Sequence, residues 1–575
     1  MKARYPFILI ALLATLCSIA SVSTPLPCRE GQGGESAGGE SAGGGSAARP
    51  KGSRIILVHS DELFHNQRIN REAQILVGNV RFRHDDVILT CDSALYYEAS
   101  NSFDAFGHVV MNQADTLTLN SDVLYYDGFD QLAMARYNVV LTHYDSRLYC
   151  DSLDYDRLYN LGYFFQGGKL VDKENTLTSE WGQYSPATRE AIFNYNVDLR
   201  NPKFTLISDT LHYNTGTEIA RIVGPSNIDN GDNHIYSERG SYDTRHDHAI
   251  LLDRSIVSNK GRTVTGDSLD YVGEGAISRA FGHVVSVDNV NRNMITGNYL
   301  LYADSIGYAE AADSAVLIDF SQRDSFYCHA DTFKLFTYDI NTDSVWRVMR
   351  GYRHVRAYRT DVQAVCDSME YISRDSCLTM YRDPIIWQNG QQLLGEEIKA
   401  WLNDSTIDST HVIRQALSVE RIDSMYYNQV TGSIMRSYFR DGEMHTTITE
   451  GNVLTNYHPF DSDSLMIGML HAEGAILYLY MENRQVKKIM FDGAADGRLH
   501  PLALIPPNER FLPNFQWFDY VRPVDKNDIF NWRPKKAGSE LKPAIKHAGP
   551  KKNRDKVKLE KPAGKKRPTA PEAAP

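Results

Sequence analysis

Cys150-Asp151-Ser152-Leu153-Asp154-Tyr155 is one copy of a short phrase that returns along the chain with the same chemistry at the same offsets. With the acidic residue taken as an anchor, the copies stand at Asp61, Asp92, Asp122, Asp151, Glu180, Asp209, Glu238, Asp267, Asn298, Asp331, Asp367 and Glu396, and six of the eleven steps are 29 residues long. Two places beyond the anchor come Leu124, Leu153, Leu211, Leu269, Leu300 and Phe333, with Gly182 and Gly240 among the exceptions. Four places beyond come Tyr126, Tyr155, Tyr184, Tyr213, Tyr271 and Tyr302, with His65, Leu335 and Ala400 where the tyrosine fails. A fixed period between about 20 and 50 residues marks a stacked fold, because each unit buries its apolar face only against its neighbours.

Each unit also carries a turn followed by an apolar strand: Phe106-Gly107-His108-Val109-Val110, Tyr137-Asn138-Val139-Val140, Tyr195-Asn196-Val197 and Phe281-Gly282-His283-Val284-Val285. Gly and Asn supply tight turns and Val supplies strand, and no helical periodicity is sustained, so the pattern predicts an all-β chain with two strands per unit. Residues two apart share a face of a strand. On that rule the anchor, the Leu and the Tyr face one way, toward an apolar interior, and the small residue before the anchor faces the other. The tyrosine ring suits such an interior while its hydroxyl reaches the rim or a backbone group. Eleven steps, at one strand of about 4.8 Å each, predict a body of roughly 50 Å or more.

Composition bounds the rest. The chain is 42% hydrophobic and 23% charged, with 33 tyrosines, which favours a folded strand-rich protein. Lys2 and Arg4, the apolar run from Phe7 to Leu16 and Ser18-Ile19-Ala20 form an export signal, so the mature chain is expected to leave the cytoplasm. The run is too short for a membrane span, and nucleic acid is excluded as a partner of an exported chain. The expected organisation is a signal peptide over 1–20, a Gly/Ser-rich linker over 21–53, the repeat body over 54–405, a β continuation with an irregular aromatic cap for one end over 406–533, and a basic tail over 534–575. From Arg533 onward the net charge is +10, so the remainder carries −21 of the total −11. Membrane contact is expected to be peripheral at most.

Catalytic and metal chemistry find little footing. Cys91, Cys150 and Cys366 precede their anchors where other units have Ser, Gly or Ala, and therefore act as small packing residues. A hairpin bond between Cys366 and Cys377 stays open. His108 and His283 occupy a turn position held elsewhere by Asn79, Asn138 or Asn196, so they are turn residues before they are ligands. A column of anchors must be solvated, paired or bonded at turns. No Ser-His-Asp order, phosphate loop or paired-Cys zinc spacing occurs, and no metal, cofactor or catalytic residue is expected.

The phrases at Asp92, Asp122, Asp151 and Asp267, alternating with Gly107-His108-Val109 and Gly282-His283-Val284, resemble the OstA/LptA-like family of lipopolysaccharide-transport proteins. Asp423-Ser424-Met425, Tyr427-Asn428, Gly432, Gly451-Asn452-Val453 and Arg522-Pro523 are similar to the longer OstA-like proteins of the Bacteroidota type, so the resemblance spans roughly residues 55 to 530. It implies an elongated β-jellyroll, or β-taco, whose apolar cleft holds the lipid A acyl chains of lipopolysaccharide. It further implies a periplasmic, non-enzymatic carrier associated with outer-membrane biogenesis, joined end to end with other β-jellyroll components. The cleft would be lined by Leu124, Leu153, Leu211, Leu269, Leu300, Phe333, Tyr126, Tyr155, Tyr213, Tyr271 and Tyr302. The chain departs from the family in being longer than the short bridge proteins and in lacking a large C-terminal barrel. Two alternatives are an exported polysaccharide-processing β-helix enzyme, which needs a singular site, and a structural or adhesive solenoid with a filled interior.

Overall fold

A computed structural model describes residues 53–541, apart from 66–71, 114–115, 232, 260, 274–276, 341, 343, 404–406, 441–442, 462, 464, 483–484 and 540. The export signal, the glycine-rich linker up to residue 52 and residues 542–575 of the basic tail therefore lie outside the described residues. Within them the chain is an uninterrupted antiparallel ladder from Ile56–His59 to Asp496–Pro501 with only short 3-10 turns and no α-helix. Each strand pairs with its sequence neighbour or with the half-strand just beyond it, as in Leu117–Asp127 beside Leu132–His143. The stack is an elongated β-jellyroll, as the family resemblance implied.

Every long strand bends in its middle, and the bend follows from the repeated phrase. In Leu117–Asp127 the buried residues are Leu117, Leu119 and Ser121, then Leu124 and Tyr126, so the inward phase slips by one residue at Asp122. The ladder slips with it: Val109 pairs with Ser121 and Phe106 with Val123, while Gly107 and His108 sit at φ +72° and +43°. This two-residue bulge turns both strands, so each strand contributes one half to either wall of a V. Gly107 is required there, because a Cβ would overlap the Asp92 carboxylate as well as strain the backbone.

The expected facing of the anchor is corrected by this bend. Anchors such as Asp92, Asp122 and Asp151 are exposed on the outside of the apex, and the small residue before each points inward. Alternation by two holds only along an unbent strand, and the bulge resets the phase. The anchors are kept apart by local bonding: Asp92 Oδ2 meets His108 Nδ1 at 2.7 Å, Asp267 meets His283 at 2.7 Å, and Asn138 and Asn79 donate to Asp122 and Asp61 at 2.7 and 2.9 Å. Both histidines are mostly exposed turn residues, and the hydrogen bond to Asp92 raises the His108 pKa.

The estimated length is corrected too. Each unit adds two bent strands rather than one, and the ladder continues past residue 405 in strands such as Tyr427–Arg440 and Glu443–Tyr457. At about 4.8 Å per rung the stack is roughly 130 Å long. In the middle, bends become breaks. Pro225, which has no N–H to give, separates Ile219–Ile222 from Ser226–Asp229, and these halves pair with the two halves of Phe204–Asn214.

The irregular segment from residue 502 does not cover an end. It runs back along the outside of one wall as a strap. Arg356 donates to the Val521 carbonyl at 3.1 Å, Gln392 to that of Gln516 at 2.9 Å, Gln429 to that of Arg510 at 3.0 Å and Asn456 to that of Glu509 at 2.8 Å. Phe518 and Val521 pack with Trp387, Ile385, Leu417 and Val419 in a second core outside the jellyroll. Cys91, Cys150, Cys328, Cys366 and Cys377 are all free thiols, so the Cys366–Cys377 bond does not form.

Candidate functional site

The interior between the walls is the candidate site, and its state changes along the stack. Over strands from Gln74–His84 to His248–Leu252 it is filled. Leu124, Leu153, Leu211 and Tyr155 are 0% exposed, and Tyr213 is 1% exposed. Where Gly182 replaces the inward leucine, the Phe164 ring occupies the vacated space, and a Cβ at Gly182 would overlap it. Phe82, Phe103 and Tyr126 stack at 4.3 and 5.1 Å between centroids.

Here the tyrosine column latches the mouth of the V. Tyr126 OH meets His84 Nδ1 at 2.6 Å, Tyr184 OH meets His143 Nδ1 at 2.7 Å, and Tyr213 OH donates to Asp172 Oδ2 at 2.7 Å. Tyr155 OH reaches Gln113 at 3.2 Å. Each partner ends a strand 41 or 42 residues earlier, on the opposite wall. Arg157 adds a bond to Tyr126 OH at 2.5 Å and one to Asp86 at 2.8 Å, and Glu218 is held between Lys173 and Arg245. Burial pushes the Tyr126 and Tyr155 hydroxyls up to about 12, so they stay protonated as donors. Burial opposes ionisation of Glu218, but hydrogen bonds from Arg245 and Lys173 outweigh it and lower its pKa.

The latch thins toward the middle. Asn230 Nδ2 still reaches Tyr271 OH at 3.1 Å, and Arg262 reaches Tyr302 OH at 3.5 Å, but both tyrosines are only partly buried. The inward residues Val257, Val264 and Ile295 are partly exposed, whereas Leu269, Leu300 and Phe333 remain buried at 4, 8 and 4% exposure. In the next unit Leu335 takes the tyrosine position and has no hydroxyl to give.

Beyond it the interior stays packed through Met349, Met369, Tyr371 and Met380 before a cavity opens in it. Ile386, Leu393, Val430, Met435, Phe439 and Leu479 surround a cavity of about 80 Å³, with Thr447 and Thr449 among the polar lining. Sequence reasoning stopped short of these residues, because the period loosens after residue 405. The latch partners also went unseen, although the recurrent offset of 41 or 42 residues between each tyrosine and an earlier His, Asp or Gln was a readable signal. No group of three His, Cys, Asp or Glu able to hold a metal occurs among the described residues.

Comparison with known proteins bears on this geometry. Residues 52–209 match the family model described as OstA-like protein. The N-terminal repeats are OstA-like. This OstA-like segment ends inside the filled, latched part of the ladder, and the same bent-strand repeat continues well past it. A solved structure of LptH from Pseudomonas aeruginosa, titled as the LptA-homologous periplasmic component of the conserved lipopolysaccharide transport device, is similar at 14% identity. That likeness covers 18% of this chain and 79% of LptH, with a TM-score of 0.17. Among curated proteins, none matches.

Proposed function

We infer that this OstA-like chain is a non-enzymatic lipopolysaccharide-transport protein of the periplasm, and that it takes acyl chains into the loosened part of its interior, from Val257 toward the cavity at Leu479. The observation that carries this reading is the change along one ladder: the interior is latched and filled before residue 252, stays packed through Met349, Met369 and Met380 without the tyrosine latch at Leu335, and opens into a cavity between Ile386 and Leu479. A cavity of about 80 Å³ is a beginning rather than a full acyl-chain site, so loading must spread the walls. The flexible side chains of Met435 and Met444 line it and adapt to a changing occupant. Of the expected lining, Leu269, Leu300, Phe333, Tyr271 and Tyr302 border the loosened part. Leu124, Leu153, Leu211, Tyr126, Tyr155 and Tyr213 belong to a strut that holds this part at a distance.

The ends suit docking to other β-jellyrolls. Among the described residues, Ile56–His59 and Glu62–Phe64 pair only with Gln74–His84, and Gln485–Asp492 and Asp496–Pro501 only with Gly468–Glu482. Ile56, Val58, Leu63 and Leu499 are about half exposed at these edges. Edge strands of this kind accept another sheet.

Photo-crosslinking side chains at Val430, Leu479, Ile295 and Leu153 test the reading. Capture of lipopolysaccharide at the first three and not at Leu153 is expected. Capture at none overturns it and favours the structural solenoid, for which the filled interior over Leu124 to Leu211 is the specific support.

A further inference from the structure

Where the latch thins, three successive hairpin ends on one rim border a second, polar cavity of about 280 Å³ that is open to solvent. It is lined by Asp229, Asn233, His234, Asn259, Arg262 and Asn289, together with Ser258 and Thr263. The lining is pre-arranged. Asn259 Nδ2 donates to Asn233 Oδ1 at 2.7 Å, His234 Nδ1 lies 2.7 Å from Asp229 Oδ1, and the Asn289 N–H is tied to the Gly261 carbonyl at 3.1 Å. Arg262 is paired with Asp288 at 3.3 Å, so the cavity carries little net positive charge and is poorly suited to a bare phosphate.

Its chemistry suits a polyol. Asparagine amides and side-chain hydroxyls offer donors and acceptors side by side, and each sugar hydroxyl uses both. Its position adds to this. In the hairpin formed by Ile256–Asn259 and Arg262–Thr265, the Ser258–Thr263 pair borders the polar cavity while the neighbouring Val257–Val264 pair packs against the jellyroll core. Ser258 and Thr263 face away from Val257 and Val264, and the polar cavity meets the loosened interior at the hairpin tip, where Asn259 and Arg262 share the inward face of those valines and Arg262 reaches Tyr302 OH.

We propose that this cavity is a saccharide-binding site at the mouth of the jellyroll, holding a neutral sugar unit of a glycolipid whose tail enters beside Val257 and Val264. The proposal deepens the lipid-transport reading and rests on it for the source of the sugar, but not for the presence of the site. Two sources share this chemistry: the sugar of a lipid-linked glycan and that of a free glycan.

The full chain is titrated calorimetrically with lipid-free core oligosaccharide released from lipopolysaccharide by mild acid, and in parallel with a peptidoglycan-derived disaccharide. The variants are Asn233→Ala with Asn259→Ala, and Asn289→Trp, which blocks the cavity from an exposed turn without touching the Asn233–Asn259 bond. The core oligosaccharide is expected to bind, and either variant is expected to weaken it at least ten-fold. Binding of the disaccharide instead, lost in the same variants, upholds the site and assigns it to a free glycan. Binding of neither sugar, or binding that both variants leave unchanged, overturns the proposal. Lipid capture at Val430 and Leu479 is scored separately: capture without sugar binding sinks the site alone, and sugar binding without capture sinks the transport reading alone.

Discussion

Strands between Gln74 and Leu252 and strands between Thr332 and Glu482 are built on the same bent, bulged backbone, yet one interior is solid and the other holds a cavity. In the first stretch the walls are tied across the mouth by tyrosine hydroxyls, as from Tyr184 to His143. In the second, Leu335 and Ala400 take two of the tyrosine positions while Tyr371 stays buried in the core, and support comes from outside, where the strap grips one wall through Arg356, Gln392 and Gln429. A jellyroll wall needs bracing somewhere. Bracing at the mouth closes the interior, whereas bracing on the back leaves the mouth to open.

The sharpest way to break this comparison is to cut the strap. Arg356 is 0% exposed and bonds Asp528 at 3.4 Å, and removing one member of a buried ion pair costs about 3–5 kcal/mol. Arg356→Ala should raise hydrogen exchange over residues 509–530 and lower the melting of the C-terminal stretch while leaving the N-terminal stretch unmoved. A shift of both together would show that the strap braces the whole molecule.

Next comes the packing itself. Leu153→Ala, in a filled interior, should cost about 2–5 kcal/mol. Leu479→Ala, beside a cavity already present, should cost less than half of that; equal losses in denaturant titrations would mean that the two interiors are packed alike. A smaller effect is expected at the latch. Tyr184→Phe removes a buried hydrogen bond and strands the His143 ring nitrogen, which should cost about 1–3 kcal/mol, read from thermal melts.

The smallest expected effect separates the two stretches by pH. His458 lies near the strap's Arg510, and burial, opposed by the Asp423 carboxylate and aided by that arginine, holds its pKa down at about 4 against an ordinary value near 6.5. Its folded pKa is lower than its unfolded one, so the unfolded chain takes the proton first. The stability tied to neutral His458 is present in full above about pH 6.5 and is lost as the pH falls toward 4. His458→Gln should therefore flatten the acid loss of the C-terminal transition between pH 7 and 4.5; an unchanged slope would place the acid sensitivity elsewhere.

Much of this was legible from spacing. The period, the strands and the inward places of Leu153 and Tyr155 followed from alternation and repeat, whereas Cys150 was expected on the outer face and lies inward. Asp151 was assigned to the wrong side because alternation by two carries no record of a bulge that resets it. The filling of the Gly182 gap by Phe164 was hidden as well, since it depends on a ring from the neighbouring strand. The 41-residue step from His143 to Tyr184 spans about one and a half units, and it becomes a contact only once both strands are bent into facing walls.

The amino-acid order alone therefore determined a long antiparallel ladder with an apolar interior, because strand alternation and turn chemistry act over a few residues and repeat with them. Tertiary structure decided where that interior is sealed, where it is hollow and where the aromatic C-terminal segment lies. Those outcomes rest on side-chain volumes and hydrogen bonds that meet across 41 to 165 residues of chain, and local periodicity does not encode them.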